Sequence, residues 1–183
     1  MSIDQLEHFE IKVIHSKLTS ETLRKEIVSL CNRAYEQDMQ TLLETFVDAT
    51  HVLGYYNDLF VCHALWVTRY LQVGTNPILR TAYVEAVATE AEYRHRGFAS
   101  SVMKYLVDEI QDYELAALSP FSVEYYERLG WERWRGPLFI RTKEGNLLPS
   151  LDDEEVMILR LPKTPVLDVS APLSAEWREG ELW

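Results

Sequence analysis

Between His51 and Thr89 three β-rich runs follow one another almost without a break: HVLGYY, LFVCHALWVTRYLQV and LRTAYVEAVAT. Asn57-Asp58 joins the first two as a hairpin turn, and Gly74-Thr75-Asn76-Pro77 turns the second into the third. Long runs joined this tightly pair with their chain neighbours, so an antiparallel sheet lies at the centre of whatever the chain folds into. The third run leads through the basic Arg94-His95-Arg96 to Gly97, after which Phe98, Val102, Leu106 and Ile110 recur every four residues. That is the spacing of a helix laid on a sheet.

The flanks add to this frame. Residues 9 to 14 alternate as a first strand, Thr19 or Ser20 can cap a helix, and Leu23, Ile27, Leu30, Cys31 and Ala34 give that helix one buried stripe. A short second helix covers Met39 to Val47. LAAL is a short buried strand, and a helix from Ser122 to Leu129 stops at Gly130. Trp131 to Trp134, Leu138 to Arg141 and Val156 to Leu161 read as strands, the last of them final in the chain, and from Pro162 the sequence reads as extended. With 183 residues, 47% hydrophobic, the chain has material for one sizeable core. The expected fold class is α/β of the α+β type: a single domain over 1–183 with a mixed, mostly antiparallel central sheet flanked by helices.

Charge narrows the function. Acidic residues outnumber Lys and Arg by 29 to 18, a formal −11 spread along the chain, which disfavours nucleic acid as a partner. The apolar runs are too short for a membrane helix, and MSIDQLEHFE has neither the basic nor the apolar region of a signal peptide, so the expectation is a cytoplasmic protein with no membrane partner. Cys31 and Cys62 lie in apolar surroundings and read as core thiols. The five histidines show no metal spacing, and no metal is expected; His63, on an apolar strand, reads as structural.

The loop after the third run suits an anion, a pyrophosphate in particular. Gly97 lets the backbone approach closely, the first amides of the helix lack intrahelical partners, and Arg94 and Arg96 add positive charge. A basic turn before an ordinary helix is the plainer reading of the same residues. Two segments downstream favour the first: Leu115-Ala116-Ala117-Leu118-Ser119, then Tyr125-Tyr126-Glu127-Arg128-Leu129-Gly130-Trp131. With Arg94, Gly97 and Ala99 in the spacing of an acetyl-CoA loop, the sequence resembles the GNAT superfamily of N-acetyltransferases. Tyr83 to Ala88, Trp131 to Pro137, Asp152-Asp153 and the ending Glu176 to Trp183 resemble the aminoglycoside 2'-N-acetyltransferases within it, from about Ala34 onward.

The resemblance implies acetyl-CoA as cosubstrate, held by Val87, Ala88 and Thr89 and by Arg94, His95, Arg96, Gly97, Phe98, Ala99 and Ser100. It implies Glu85 as the base acting through water, the Val87 amide as donor to the thioester oxygen, and Tyr126, with Tyr125 as competitor, as the acid that protonates the thiolate. A Glu among apolar and small residues is costly to bury without a purpose. A tyrosine near pKa ~10 can protonate a thiolate near ~8.5 at a cost of about 2 kcal/mol. The acceptor implied is a cationic small-molecule amine, bound by Asp38, Glu85, Ser119, Asp152 or Asp153, Glu181 and the Trp183 carboxylate. Residues 162–183 form a tail docking near the acceptor, and the resemblance suggests a homodimer. The tail carries Trp177, Leu182 and Trp183, which a free end would expose. Three departures gather on the acceptor side: Leu42 where an acid is expected, Asp48-Ala49-Thr50 in place of a glycine pair, and two residues fewer between Ser119 and Tyr126. Acetylation of another polyamine, peptide or metabolite amine, or a non-catalytic acyl-CoA- or drug-binding role, are the alternatives.

Overall fold

Asn57 and Asp58 both take left-handed backbone (φ 48° and 62°), the conformation that a two-residue hairpin turn demands and that Asn and Asp tolerate best. They join β2 (Thr50–Tyr56) to β3 (Leu59–Val73), which pair antiparallel. β1 (Phe9–His15) pairs antiparallel with β2 along its whole length, Phe9 opposite Tyr56 and His15 opposite Thr50. β4 spans Leu79–Thr89, as the sequence predicts. The computed structural model describes residues 8–150 and 154–183.

The chain forms two units, and β3 and β4 are each divided between them. The first comprises the described residues up to Val67 together with Glu85–Glu109. Its helix α1 (Glu21–Tyr35) starts where Ser20 Oγ accepts the Leu23 amide at 3.2 Å, and it buries Ile27, Leu30 and Cys31. Thr19, the other cap candidate, instead donates to Ser16 O at 2.6 Å and accepts from Arg24. The short α2 (Gln40–Thr45) follows, and α3 (Phe98–Glu109) buries Phe98, Val102, Met103 and Leu106 as its four-residue period requires. The Phe98 ring stacks on Phe9 of β1 at 4.4 Å.

The second unit holds β5 (Leu115–Leu118), α4 (Val123–Glu127), β6 (Glu132–Arg133), β7 (Leu138–Arg141), β8 (Leu147–Pro149), β9 (Met157–Leu159) and β10 (Leu173–Glu176) in the sheet order β6-β9-β5-β4-β3-β10-β7-β8. β5 is parallel to β4 and wholly buried, which is why LAAL is a continuous apolar run. β10 corrects one expectation. The segment after Pro162 is not merely extended, and β9 is not the last strand: Leu173 pairs with both Val73 and Leu138, antiparallel to β3 and parallel to β7.

Candidate active site

In the first unit Glu85 sits on β4 only 9% exposed, among the apolar neighbours the sequence places around it. The next residue, Ala86, takes left-handed backbone (φ 50°) in mid-strand, an uncommon state for a residue with a Cβ. Its carbonyl accepts from the buried His63 Nδ1 at 2.8 Å, and the following carbonyl, of Val87, accepts from Tyr35 Oη at 3.1 Å. Ala88 is buried and Thr89 half-buried, its hydroxyl 3.2 Å from Cys62 Sγ.

Beyond β4 the backbone turns left-handed at His95 (φ 61°) and again at Gly97 (φ 81°), curling tightly before α3 begins at Phe98. The two arginines are engaged by their own loop's surroundings. Arg94 donates to Thr89 O at 3.3 Å and Ala34 O at 3.0 Å, bracing the end of β4 against the end of α1. The Arg96 guanidinium lies over Tyr56, Tyr93 and Phe98, 4.6 to 5.3 Å from the ring centroids. Both keep positive charge beside the α3 N-terminus. There the start of α3 presents the positive end of the helix dipole, which favours an anion. Asp38 is exposed in this unit, and its Oδ1 accepts the Gln40 amide at 3.0 Å, supporting the start of α2.

In the second unit Ser119 is exposed directly after β5. Ser122 caps α4 by accepting the Tyr125 amide at 3.3 Å, and this turns Tyr126 inward at 2% exposure while Tyr125 stays half-buried. The Tyr126 ring meets Tyr125, Phe121 and Trp131 edge-on, with centroids 5.0 to 6.1 Å apart. The tail is seated within this unit: Trp183 is 2% exposed, whereas Glu181 and Trp177 stay in solvent. Asp152 and Asp153 lie outside the described residues. Thus Asp38, Glu85, Val87 to Thr89 and Arg94 to Ser100 belong to one unit, and Ser119, Tyr126, Glu181 and Trp183 to the other.

Two buried polar residues carry more than the sequence reading assigned them. Arg69, 1% exposed, donates to the carbonyls of Leu182 (2.7 Å) and Glu176 (2.8 Å) and faces the Tyr83 ring, so a buried guanidinium holds the tail. Its signal was present: in Val67-Thr68-Arg69-Tyr70-Leu71 the alternation puts Arg69 on the inward face, where a charge must have partners. His63 is the second. Both cysteines are buried and free, and burial pushes the Cys31 thiol up to about 12 and Cys62 up to about 11. Among the described residues no group of three or more His, Cys, Asp or Glu side chains could hold a metal ion, and no helix is long and apolar enough to cross a membrane.

Residues 16–134 match the acetyltransferase (GNAT) domain model, well over half of the chain. The chain belongs to the GNAT acetyltransferase family. This GNAT protein is 28% identical, over 94% of its length and 91% of the relative's, to an aminoglycoside 2'-N-acetyltransferase of Mycolicibacterium fortuitum. Among solved structures, the GNAT family N-acetyltransferase YhbS of Escherichia coli, determined with CoA, shares the fold at a TM-score of 0.67 and 14% identity, covering 94% of this chain and 91% of that one. A probable N-acyltransferase of Enterococcus faecalis superposes at a TM-score of 0.58 and 20% identity over 68% of this chain, which spans only 32% of that one's length. The GNAT fold and an N-acetyltransferase activity, both implied by the acetyl-CoA-loop pattern, are thereby shown.

Proposed function

We propose that the protein transfers an acetyl group from acetyl-CoA to a primary amine of a cationic small molecule, an aminoglycoside acetylated at its 2'-amino group being the first candidate. The observation that carries this reading is the relative of that activity, matched along 94% of the chain. Acetyl-CoA supplies an activated thioester and a pyrophosphate, and the loop offers what the latter needs: a tight left-handed turn at Gly97, two nearby guanidinium groups and the start of a twelve-residue helix. In this reading Val87, Ala88 and Thr89 bond the pantetheine arm, and Arg94 to Ser100 cradle the phosphates.

Glu85, buried on β4, draws the ammonium proton through water. The Val87 N–H donates to the thioester oxygen as negative charge develops there. Tyr126, the more deeply buried of the paired tyrosines, gives its proton to the departing thiolate. Attack is direct. Neither cysteine can serve as an acyl carrier, since both are inaccessible and held as thiols. Asp38, Asp152 or Asp153 and Glu181 supply negative charge for the acceptor, each close pair contributing from ~1 to ~4 kcal/mol according to shielding.

A panel of amines, assayed by release of free CoA thiol, tests the reading. Turnover of aminoglycosides that carry a 2'-amino group, and none of those that lack it, is the expected result. Turnover indifferent to that group would remove the regiochemistry. CoA binding with no thiol release from any amine would replace the enzyme with an acyl-CoA-binding protein.

A further inference from the structure

The imidazole of His63 is fully buried in the first unit, where an ordinary core position would hold an aliphatic side chain. Its two nitrogens are both engaged: Nδ1 lies 2.8 Å from the Ala86 carbonyl oxygen and 3.8 Å from Cys31 Sγ, and Nε2 lies 3.0 Å from Nδ1 of the half-buried His51 on β2. A carbonyl can only accept, so His63 Nδ1 carries the proton, and in the neutral ring Nε2 is then a lone pair that accepts from His51 Nδ1–H. One proton per ring satisfies the whole chain of bonds. Burial favours this neutral state, holding His63 at about 3 and His51 at about 4.

The carbonyl at the end of this relay belongs to the left-handed residue of β4. Because the 86–87 peptide is planar and trans, its C=O and N–H point in opposite directions. Fixing the Ala86 oxygen towards His63 thus aims the Val87 N–H to the other side of the strand. We propose that His63, supported by His51, is a positioning residue that sets the direction of the Val87 N–H by pinning the Ala86 carbonyl. The proposal rests on the acetyl-transfer reading in that this amide is the donor to the thioester oxygen. His63 itself touches no reactant.

The substitutions His63→Leu and His63→Asn separate orientation from packing. Leu fills much of the space with no donor, whereas the Asn amide nitrogen can stand where Nδ1 stood. Expected for His63→Leu is a kcat lowered on the order of 10- to 100-fold with the amine KM nearly unchanged, the loss that misplacing one donor causes. Expected for His63→Asn is recovery of most of that kcat, although its melting temperature falls as far or further. Equal kcat losses in the two variants, or losses that follow melting temperature alone, would overturn the proposal. If His63→Leu does not fold, His51→Leu against His51→Asn poses the same comparison one bond further out. Crystal structures of the folded variants give a readout independent of turnover. A rotated 86–87 peptide in the donorless variant supports the proposal, and an unmoved one overturns it. Should the wild type acetylate no amine, the activity reading fails and this structural readout still decides the positioning role.

Discussion

Glu85 and Tyr126 are buried polar side chains on two different elements, and each has a single chemical task in the proposed reaction. Glu85→Gln keeps the shape and removes the base; Tyr126→Phe keeps the ring and removes the proton. Each is expected to lower kcat by roughly 10²- to 10⁴-fold, the usual range for an acid or base, while calorimetry finds acetyl-CoA affinity nearly unchanged. The buried histidine pair makes a separate prediction about pH. Burial holds both rings below the usual 6.5, His51 at about 4 and His63 at about 3, so the folded state resists protons that the unfolded chain accepts. Stability is complete above pH 6.5 and falls as pH drops from there towards 4 and then 3, by up to about 1.4 kcal/mol per pH unit for each proton withheld. Urea midpoints measured from pH 7.5 to 4.5 should decline, and His51→Asn should flatten the decline. A midpoint flat across that range would show that the rings are not neutral and buried together.

At the scale of elements, the strand β10 and the turn before β7 depend on close backbone approach. Trp134 Nε1 donates to Ala171 O at 3.0 Å, and the Arg135 and Gly136 amides both donate to Val169 O. A Cβ at Gly136 would stand 1.9 Å from that same Ala171 oxygen, which is backbone and cannot swing aside. Gly136→Ala is therefore expected to destabilise the protein by more than about 2 kcal/mol, as overpacking of a tight contact does, read as a lower urea midpoint. At Gly145 a Cβ meets nothing within 4 Å, so Gly145→Ala bears only the strain of its left-handed backbone (φ 84°) and should cost about 1 to 2 kcal/mol. A Gly136→Ala variant as stable as the wild type would mean the 136–171 contact yields.

Across the whole molecule the surplus of acid has different uses in different places. Asp112 is spent on an exposed pair with Lys163, and Glu90 on Arg33, whereas Glu181 stays exposed with no such pair among the described contacts. The tail that carries Glu181 is held by the buried Arg69 and by Trp183, so removing the last residues would cost folding energy as well as any binding they do. Glu181→Gln isolates the charge. It is expected to raise the acceptor KM several-fold, the effect of one screened ion pair near ~1 kcal/mol, without moving the melting temperature. An unchanged KM would take Glu181 out of the acceptor site.

Much of the frame was legible in residue order because its causes are local. Asn57-Asp58 announces a hairpin, Ser20 and Ser122 announce helix starts, and the period of four from Phe98 announces a helix face, each read from neighbours a few positions away. The tight turn from Arg94 into α3 was likewise visible, because Gly97 and the helix start are adjacent in sequence. β10 was not visible as a strand, since its partners Val73 and Leu138 lie far back along the chain. The same distance hid the buried groups. His63 in an apolar run looks like packing until Ala86, 23 residues on, turns left-handed and presents its carbonyl, and Arg69 looks misplaced until the tail returns to it. Residue order by itself determined the strands and helices whose causes are local, and the basic turn between β4 and α3. Only the tertiary structure decided what each buried polar group answers to, because a hydrogen-bond partner is set by proximity in space.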